Sequence, residues 1–177
     1  MRNYIMYKLT TAAVIAVLST SAASAEGVYL GYGFAAVNLE QPGYDWGSTN
    51  AILIVGYEVN DYLSLEGELS IPISDGQIIV SGTSIDMENE HMGAFAKLSL
   101  PTSGSIKPYA RLGMVRASYS MSTSASGFSS PDESAFAYGL GAEWEYSEKS
   151  GIRLDYSVAD FDISEGEVIA ITSVYRF

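Results

Sequence analysis

The chain has 177 residues, no cysteine, and 21 Asp+Glu against 9 Lys+Arg, for a formal net charge of −12. Without thiols there is no disulfide scaffold and no cysteine-based zinc site, and so acidic a chain disfavours a nucleic-acid partner. Charged residues make up 17% against about 25% in soluble domains, and aromatics reach 12%, which excludes wholesale disorder and leaves length for one domain.

Residues 1–25 read as a secretory signal peptide. Arg2 and Lys8 supply a basic start, Leu9 to Leu18 an apolar core, and Ala23-Ser24-Ala25 a small-x-small cleavage site. The apolar run is too short for a spanning helix, which needs about 20 residues. Cleavage after Ala25 removes two basic residues and leaves residues 26–177 as a single, more acidic domain.

The mature chain is dominated by a period of two, the signature of strands. In chain order, strands are expected at 27–38, 50–60, 62–73, 86–100, 107–120, 134–146, 151–161 and 167–177. The cleanest is the third, with Leu63, Leu65, Leu69 and Ile71 on one face and Ser64, Glu66, Glu68 and Ser70 on the other. In the fourth, Asp86, Glu88 and Glu90 share the parity of Met92, Ala94 and Leu98, which implies a bulge or a start exposed among the loops. In the fifth, Arg116 breaks the parity of Ala110, Leu112 and Met114, placing its far end above the apolar zone. In the sixth, Phe136, Tyr138, Leu140, Trp144 and Tyr146 oppose Gly139, Gly141, Glu143 and Glu145.

Connections alternate in length. Asn60-Asp61, Pro101–Ile106 and Ser147–Ser150 are short and turn-like, whereas Leu39–Thr49, Ile73–Ile85, Met121–Glu133 and Asp162–Gly166 are generally longer. Short turns at one end and longer loops at the other are the layout of an all-β, eight-stranded antiparallel up-and-down transmembrane β-barrel. A soluble barrel carries its charge outside and its grease inside; a membrane barrel reverses the two. Here one face is nearly free of charge, and the other carries Glu58, Glu66, Glu68, Lys97, Arg111, Glu143, Glu145, Arg153, Asp155 and Arg176 among glycines. That set reads as an interior charge network, with the acids paired to the bases as a plug. Eight strands leave a lumen just wide enough for side chains to fill, so no general pore is expected. A one-residue slip of the third strand would point Glu66 and Glu68 into hydrocarbon, where misplaced bases cost roughly 2–4 kcal/mol each and acids somewhat less. Two aromatic belts follow: Tyr57, Trp144, Tyr146, Tyr175 and Phe177 near the short turns, and Phe34, Phe136, Tyr138 and Tyr156 nearer the long loops.

Ile169, Ile171, Tyr175 and Phe177 share one face, and the last residues are Val174-Tyr175-Arg176-Phe177. With Val28-Tyr29-Leu30-Gly31-Tyr32-Gly33, Gly56-Tyr57-Glu58-Val59-Asn60-Asp61, Lys107-Pro108-Tyr109-Ala110-Arg111-Leu112-Gly113 and Tyr138-Gly139-Leu140-Gly141-Ala142-Glu143, the mature chain resembles the small eight-stranded outer-membrane barrels of the OmpA/OmpX/opacity-protein type. The resemblance implies an assembly signal at Tyr175 and Phe177, read by the barrel-assembly machinery; Thr172 stands where that signal often has Gly. It also implies a Gram-negative outer membrane as location, outer-membrane lipid and lipopolysaccharide as neighbours, and a monomer. Members of the type include adhesins, resistance factors, structural proteins and enzymes.

His91 is the single histidine, beside Glu88, Glu90 and Met92. The family's lipid A deacylase pattern has Ser two positions after its His, where this chain has Gly93, so His91 reads as a strand histidine at the barrel rim and no catalytic residue is assigned. Asp160-x-Asp162-x-x-Glu165-x-Glu167 fails the EF-hand spacing, with Glu165 where Gly belongs; no metal or cofactor is assigned. The function expected is structural or surface interaction, of adhesion or resistance type, through the extracellular loops, where Tyr44, Trp46 and Phe128 are the candidate contacts with an extracellular partner. The alternatives are a lipid A-modifying enzyme, a small-solute pore and a soluble periplasmic ligand-binding barrel.

Overall fold

A computed structural model describes residues 27–41, 44–74, 76–80, 83–122, 127–129, 132–161 and 165–177, with backbone alone at 41, 44–46, 77–80, 83–84, 121–122 and 127–129. The signal peptide expected at 1–25 lies outside the described residues. Ten strands follow one another: β1 (Val28–Gln41), β2 (Tyr44–Glu58), β3 (Leu63–Ser74), β4 (Gly76–Val80), β5 (Thr83–Ser99), β6 (Ile106–Ser122), β7 (Gly127–Ser129), β8 (Glu133–Glu145), β9 (Ser150–Asp160) and β10 (Glu165–Arg176). Eight of them close a ring in the order β5-β3-β2-β1-β10-β9-β8-β6, with β6 pairing back to β5; β4 and β7 extend β5 and β6 at the long-loop end. All pairs are antiparallel, and the seam runs from Tyr29↔Arg176 to Glu40↔Glu165.

The short turns close as their composition dictates. Asn60 Oδ1 accepts from the amides of Tyr62 and Leu63 at 2.9 and 3.0 Å, an Asx turn. Thr102 Oγ1 donates to the Ile106 carbonyl at 2.6 Å in the second turn. Gly27, at φ 87°, takes a left-handed conformation that a side chain would strain, and its carbonyl accepts from the Glu58 amide at 2.7 Å.

The wall strands reach further than the alternation alone indicates. β1 and β2 stay paired to Gln41↔Tyr44, and β5 and β6 run 17 residues each against the roughly 9–11 needed to cross lipid. Above the bilayer the outer face meets water, so outward residues need not be apolar, yet the backbone groups still need partners and the ladder continues. The β5–β6 register runs without a shift from Asp86↔Ser122 to Ser99↔Tyr109, so the outward acids of β5 reflect a start above the lipid rather than a bulge.

The faces are inverted relative to a soluble barrel. Leu65 and Leu140 are 53% and 67% exposed, while Glu66 and Glu143 are 4% and 2% exposed. Each Leu-sized side chain left in water would forgo roughly 1.5–3 kcal/mol. A continuous outward band of such residues is tolerable only if hydrocarbon covers it. No helix among the described residues is long and apolar enough to cross a membrane. The aromatics stand outward at both ends, with Trp144–Tyr146 and Tyr175–Phe177 edge-to-face at 6.0 and 5.4 Å and Phe136–Tyr138 at 6.5 Å. The Tyr156 hydroxyl, in the belt nearer the long loops, donates to Glu167 at 2.5 Å.

The lumen is layered. Charged and tyrosine side chains fill the half near the short turns. The half near the long loops is largely apolar, with Leu39, Met87, Phe95, Val115, Ala117, Tyr119 and Phe161 in one buried cluster. The sequence reading expected small and charged groups throughout; the upper half departs from that because inward positions there are Val, Leu, Ala and Phe. A second buried cluster, including Val37, Ile52, Ile54 and Ala170, lines the β1, β2 and β10 side.

Candidate functional site: the charged lumen and the long-loop rim

The lumenal network is built on two tyrosines seated against glycines. Tyr29 is the direct cross-strand partner of Gly56, and Tyr109 of Gly141. A Cβ at either glycine would fall on the facing tyrosine ring, so only glycine lets the ring lie against the wall. Held this way, Tyr29 Oη donates to Glu66 Oε1 at 2.5 Å, and Tyr109 Oη donates to Asp155 Oδ1.

Arg153, on β9, is the hub. Its Nη1 donates to Glu66 Oε1 at 2.7 Å, its Nη2 to Asp155 Oδ1 at 3.3 Å, and its Nε to Tyr109 Oη at 3.2 Å. Lys97 Nζ lies 3.8 Å from Glu66 and 3.7 Å from Glu143, over the faces of Tyr29 and Tyr109. Arg111 is hydrogen-bonded to Glu68 and stacks 3.7 Å from the Phe95 ring centre. At the short-turn mouth, Arg176 bonds Glu58 at 2.9 Å and Glu143 at 2.5 Å and lies 3.2 Å from Glu145, which also takes Lys107 at 2.7 Å. Bringing these charges out of water costs several kcal/mol per ion. Each carboxylate is met by at least one cation, so the arrangement is tolerable only as a whole.

His91 stands inside the lumen, not at the rim. It shares inward parity with Phe95 and Lys97 on β5, and Asn89 and Met87 continue the inward face above it. Its Nε2 is 3.3 Å from Glu68 Oε1 and its Nδ1 3.4 Å from Asn89 Oδ1. Ser70, its cross-strand partner, accepts from Asn50 Nδ2 at 2.9 Å instead. Among the described residues, the His91 ring nitrogens thus face an amide and a carboxylate oxygen. Among the described residues, no group of three or more His, Asp or Glu is placed to hold a metal ion.

The long-loop rim is acidic. Glu40 pairs directly with Asp45 and Glu165, and Glu165 with Asp160, across four adjacent strands. In residues 38–50, 71–91, 115–135 and 159–168, Arg116 is the single Lys or Arg. It points outward and is committed to Asp132 at 2.6 Å. The Ser118 hydroxyl, at 2.6 Å, and Arg116 together hold the Asp132 carboxyl below the usual carboxylate range.

The ten charged residues assigned to the interior by parity all lie in this network or at its mouth. The ten do not include Tyr29, Tyr109, Lys107 and His91, although Tyr109 shares the inward parity of Arg111 and Gly113. The two tyrosines had a legible signal, since each shares the inward face with glycines. Tyr44 and Trp46 fall on the long-loop end of β2 and Phe128 on β7, with their side chains outside the description.

A closed ring of antiparallel strands, apolar outside and ion-paired inside, is an integral membrane β-barrel. The chain belongs to the outer membrane protein beta-barrel domain family, whose profile matches residues 10–177. The fold is shared with the neisserial surface protein A NspA (TM-score 0.74, 14% identity, 86% of this chain and 98% of that one). It is shared also with the attachment invasion locus protein Ail of Yersinia pestis (0.63, 19%, 86% and 100%) and with OprG of Pseudomonas aeruginosa (0.61, 17%, 86% and 97%). No curated protein sequence matches the chain. Its place is the bacterial outer membrane.

Proposed function

We propose that the protein is a surface-interaction protein of adhesion or resistance type, in which the barrel is a sealed anchor and the long-loop rim is the contact surface. The observation that carries this reading is the Arg153–Glu66 bond across a lumen filled by its own ion pairs, which leaves transport no evident route. The rim, with its one Arg already paired, favours a partner presenting cationic groups. The Ail barrel has been solved with sucrose octasulfate, a heparin analogue; a polyanion of that kind suits this acidic rim poorly. Tyr44, Trp46 and Phe128 are proposed as the apolar anchors within it.

Export with cleavage after Ala25, recognition of Tyr175 and Phe177 by the barrel-assembly machinery, contact with lipopolysaccharide and a monomeric state belong to the same proposal. So does the absence of catalysis, supported by the inward setting of His91, whose ring nitrogens face Glu68 and Asn89. The test is threefold. Purified protein in planar bilayers conducts no ions. Cells expressing it bind immobilised polylysine in a salt-sensitive way that weakens when Glu40, Glu165 and Asp160 are changed to Gln. Lipid A from a His91→Ala strain matches that of the parent. Steady conductance would favour a pore, and altered lipid A an enzyme.

A further inference from the structure

The outer wall of the barrel has two unlike sides. On one, β2, β1, β10, β9 and β8 are neighbours, and the bases they carry are Arg153 and Arg176. Both are committed to carboxylates of the lumenal network, so this wall presents no base to the outside. Glu167 stands on it, with the outward parity of Ile169 and Ile171. The Tyr156 hydroxyl donates to Glu167 Oε1 at 2.5 Å on the exposed surface. A phenol is neutral, so it satisfies one oxygen and leaves the charge unmet. The next outward residue, Glu165, pairs directly with Glu40 and Asp160, so the charges above Glu167 have its own sign. Like charges directly opposite destabilise a sheet, and a cation brought from outside relieves them.

The surface beneath Glu167 is apolar and aromatic. Leu154, Tyr156, Ile169, Ile171, Phe34 and Tyr138 are all exposed there. Ile169 pairs directly with Tyr156, and Ile171 with Phe34, so they form a continuous track toward the short turns. A carboxylate beside aromatic rings at the edge of the hydrocarbon suits an ammonium, which the ring faces attract and the carboxylate neutralises. A phosphate or sulfate is repelled. The track below selects a cation that carries an apolar tail. The far wall differs. Glu90 on β5 is also exposed, but its partner on β6 is Ser118, the residues below it are Met92 and Met114, and Arg116 stands outward beside them.

We propose that the outer wall of β9, β10 and β1 is a docking surface for a membrane lipid with a cationic amine head group, the amine on Glu167 and Tyr156 and the tail along Ile169, Ile171 and Phe34. The proposal rests on the reading of the long-loop end as a surface for cations and names one such partner, which arrives from within the bilayer. The test uses the full chain in phosphatidylcholine vesicles holding a trace of nitroxide-labelled octadecylamine or, in parallel, octadecanol with the same label. The motionally restricted fraction in the electron paramagnetic resonance spectrum gives the relative association of each. The amine is expected to associate about threefold or more tightly than the alcohol, as an exposed ion pair with a cation–π contact supplies. Glu167→Gln removes most of that preference, whereas Glu90→Gln, which takes the same charge from the far wall, leaves it. Asn38→Lys, which sets a cation of the chain's own at the cross-strand partner of Glu167, removes it as well and serves if Glu167→Gln gives no heat-modifiable folded band. In nanodiscs, unlabelled octadecylamine shifts the 13C methyl signals of Ile169 and Ile171 saturably and leaves those of Ile71 and Ile73, exposed on β3, unchanged. Equal association of amine and alcohol, equal loss in Glu167→Gln and Glu90→Gln, or equal shifts on both walls would each overturn the proposal. Polylysine meets the rim from water, so its failure to bind cells would count against the rim reading and not against this wall.

Discussion

Arg153 Nη1 donates to Glu66 Oε1 at 2.7 Å although 87 residues separate them and their strands, β9 and β3, stand diametrically opposite in the ring. Both side chains are fully buried. The bond ties the two sides of the barrel together through its centre, which no strand ladder does.

Arg153→Met strands Glu66 without its principal cation and Tyr109 without a donor. A broken buried pair costs about 3–5 kcal/mol, to be read from urea unfolding in lipid vesicles. Adding Glu66→Gln should return part of that loss, because it removes the unpaired charge. A single variant as stable as the parent would mean that the pair contributes nothing.

The glycine seats give a second prediction. Gly141→Val drives a side chain into the Tyr109 ring and displaces its hydroxyl from Asp155. A loss of about 1–3 kcal/mol is expected from overpacking alone. Gly104→Ala, in the second turn where a Cβ meets nothing within 4 Å, should leave unfolding unchanged. Similar losses in both would argue that the seat is not what demands glycine.

The lipid face is tested at Leu140. Leu140→Arg should lower stability by roughly 2–4 kcal/mol if the residue lies near the midplane. Leu100→Arg, just before the second short turn, should cost little. Spin labels should agree, with Leu65 and Leu140 reporting lipid.

At the rim, the Asp132 carboxyl is held low by Ser118 and Arg116. A carboxyl depressed by folding stabilises fully above its unfolded value of about 3.9, and that contribution is lost as pH falls through the lower folded value. NMR titration of the Asp132 carboxyl should show the depression, and Ser118→Ala should move it back up. An unchanged titration in that variant would leave Arg116 as the sole cause. Because the pair is exposed, high salt should weaken its part of the effect.

Much of the architecture was legible because the strand period is local. Leu65 against Glu66, or Leu140 against Gly141, can be sorted into faces from adjacent residues, and charge among glycines on one face with grease on the other already favoured hydrocarbon outside. Composition likewise marked the short turns, as at Asn60, whose side chain needs only neighbouring amides.

Where alternation faded, reading became harder. Strand lengths were underestimated because β5 and β6 continue where the outer face meets water and its residues need no longer be apolar. The apolar upper lumen was missed for the same reason: Leu39, Val115 and Phe161 face inward where the outer face no longer contrasts with them. His91 was set at the rim because its acidic neighbours Glu88 and Glu90 suggested exposure, whereas they face away from it.

Residue order thus determined that Glu66 turns away from lipid, since side-chain direction follows the two-residue repeat of its own strand. It did not determine that Glu66 meets Arg153, that Tyr29 serves the same carboxylate, or that Arg111 meets Glu68. Those contacts depend on how far each strand is staggered when the sheet closes, a property of all eight strands together, and only the closed barrel decides it.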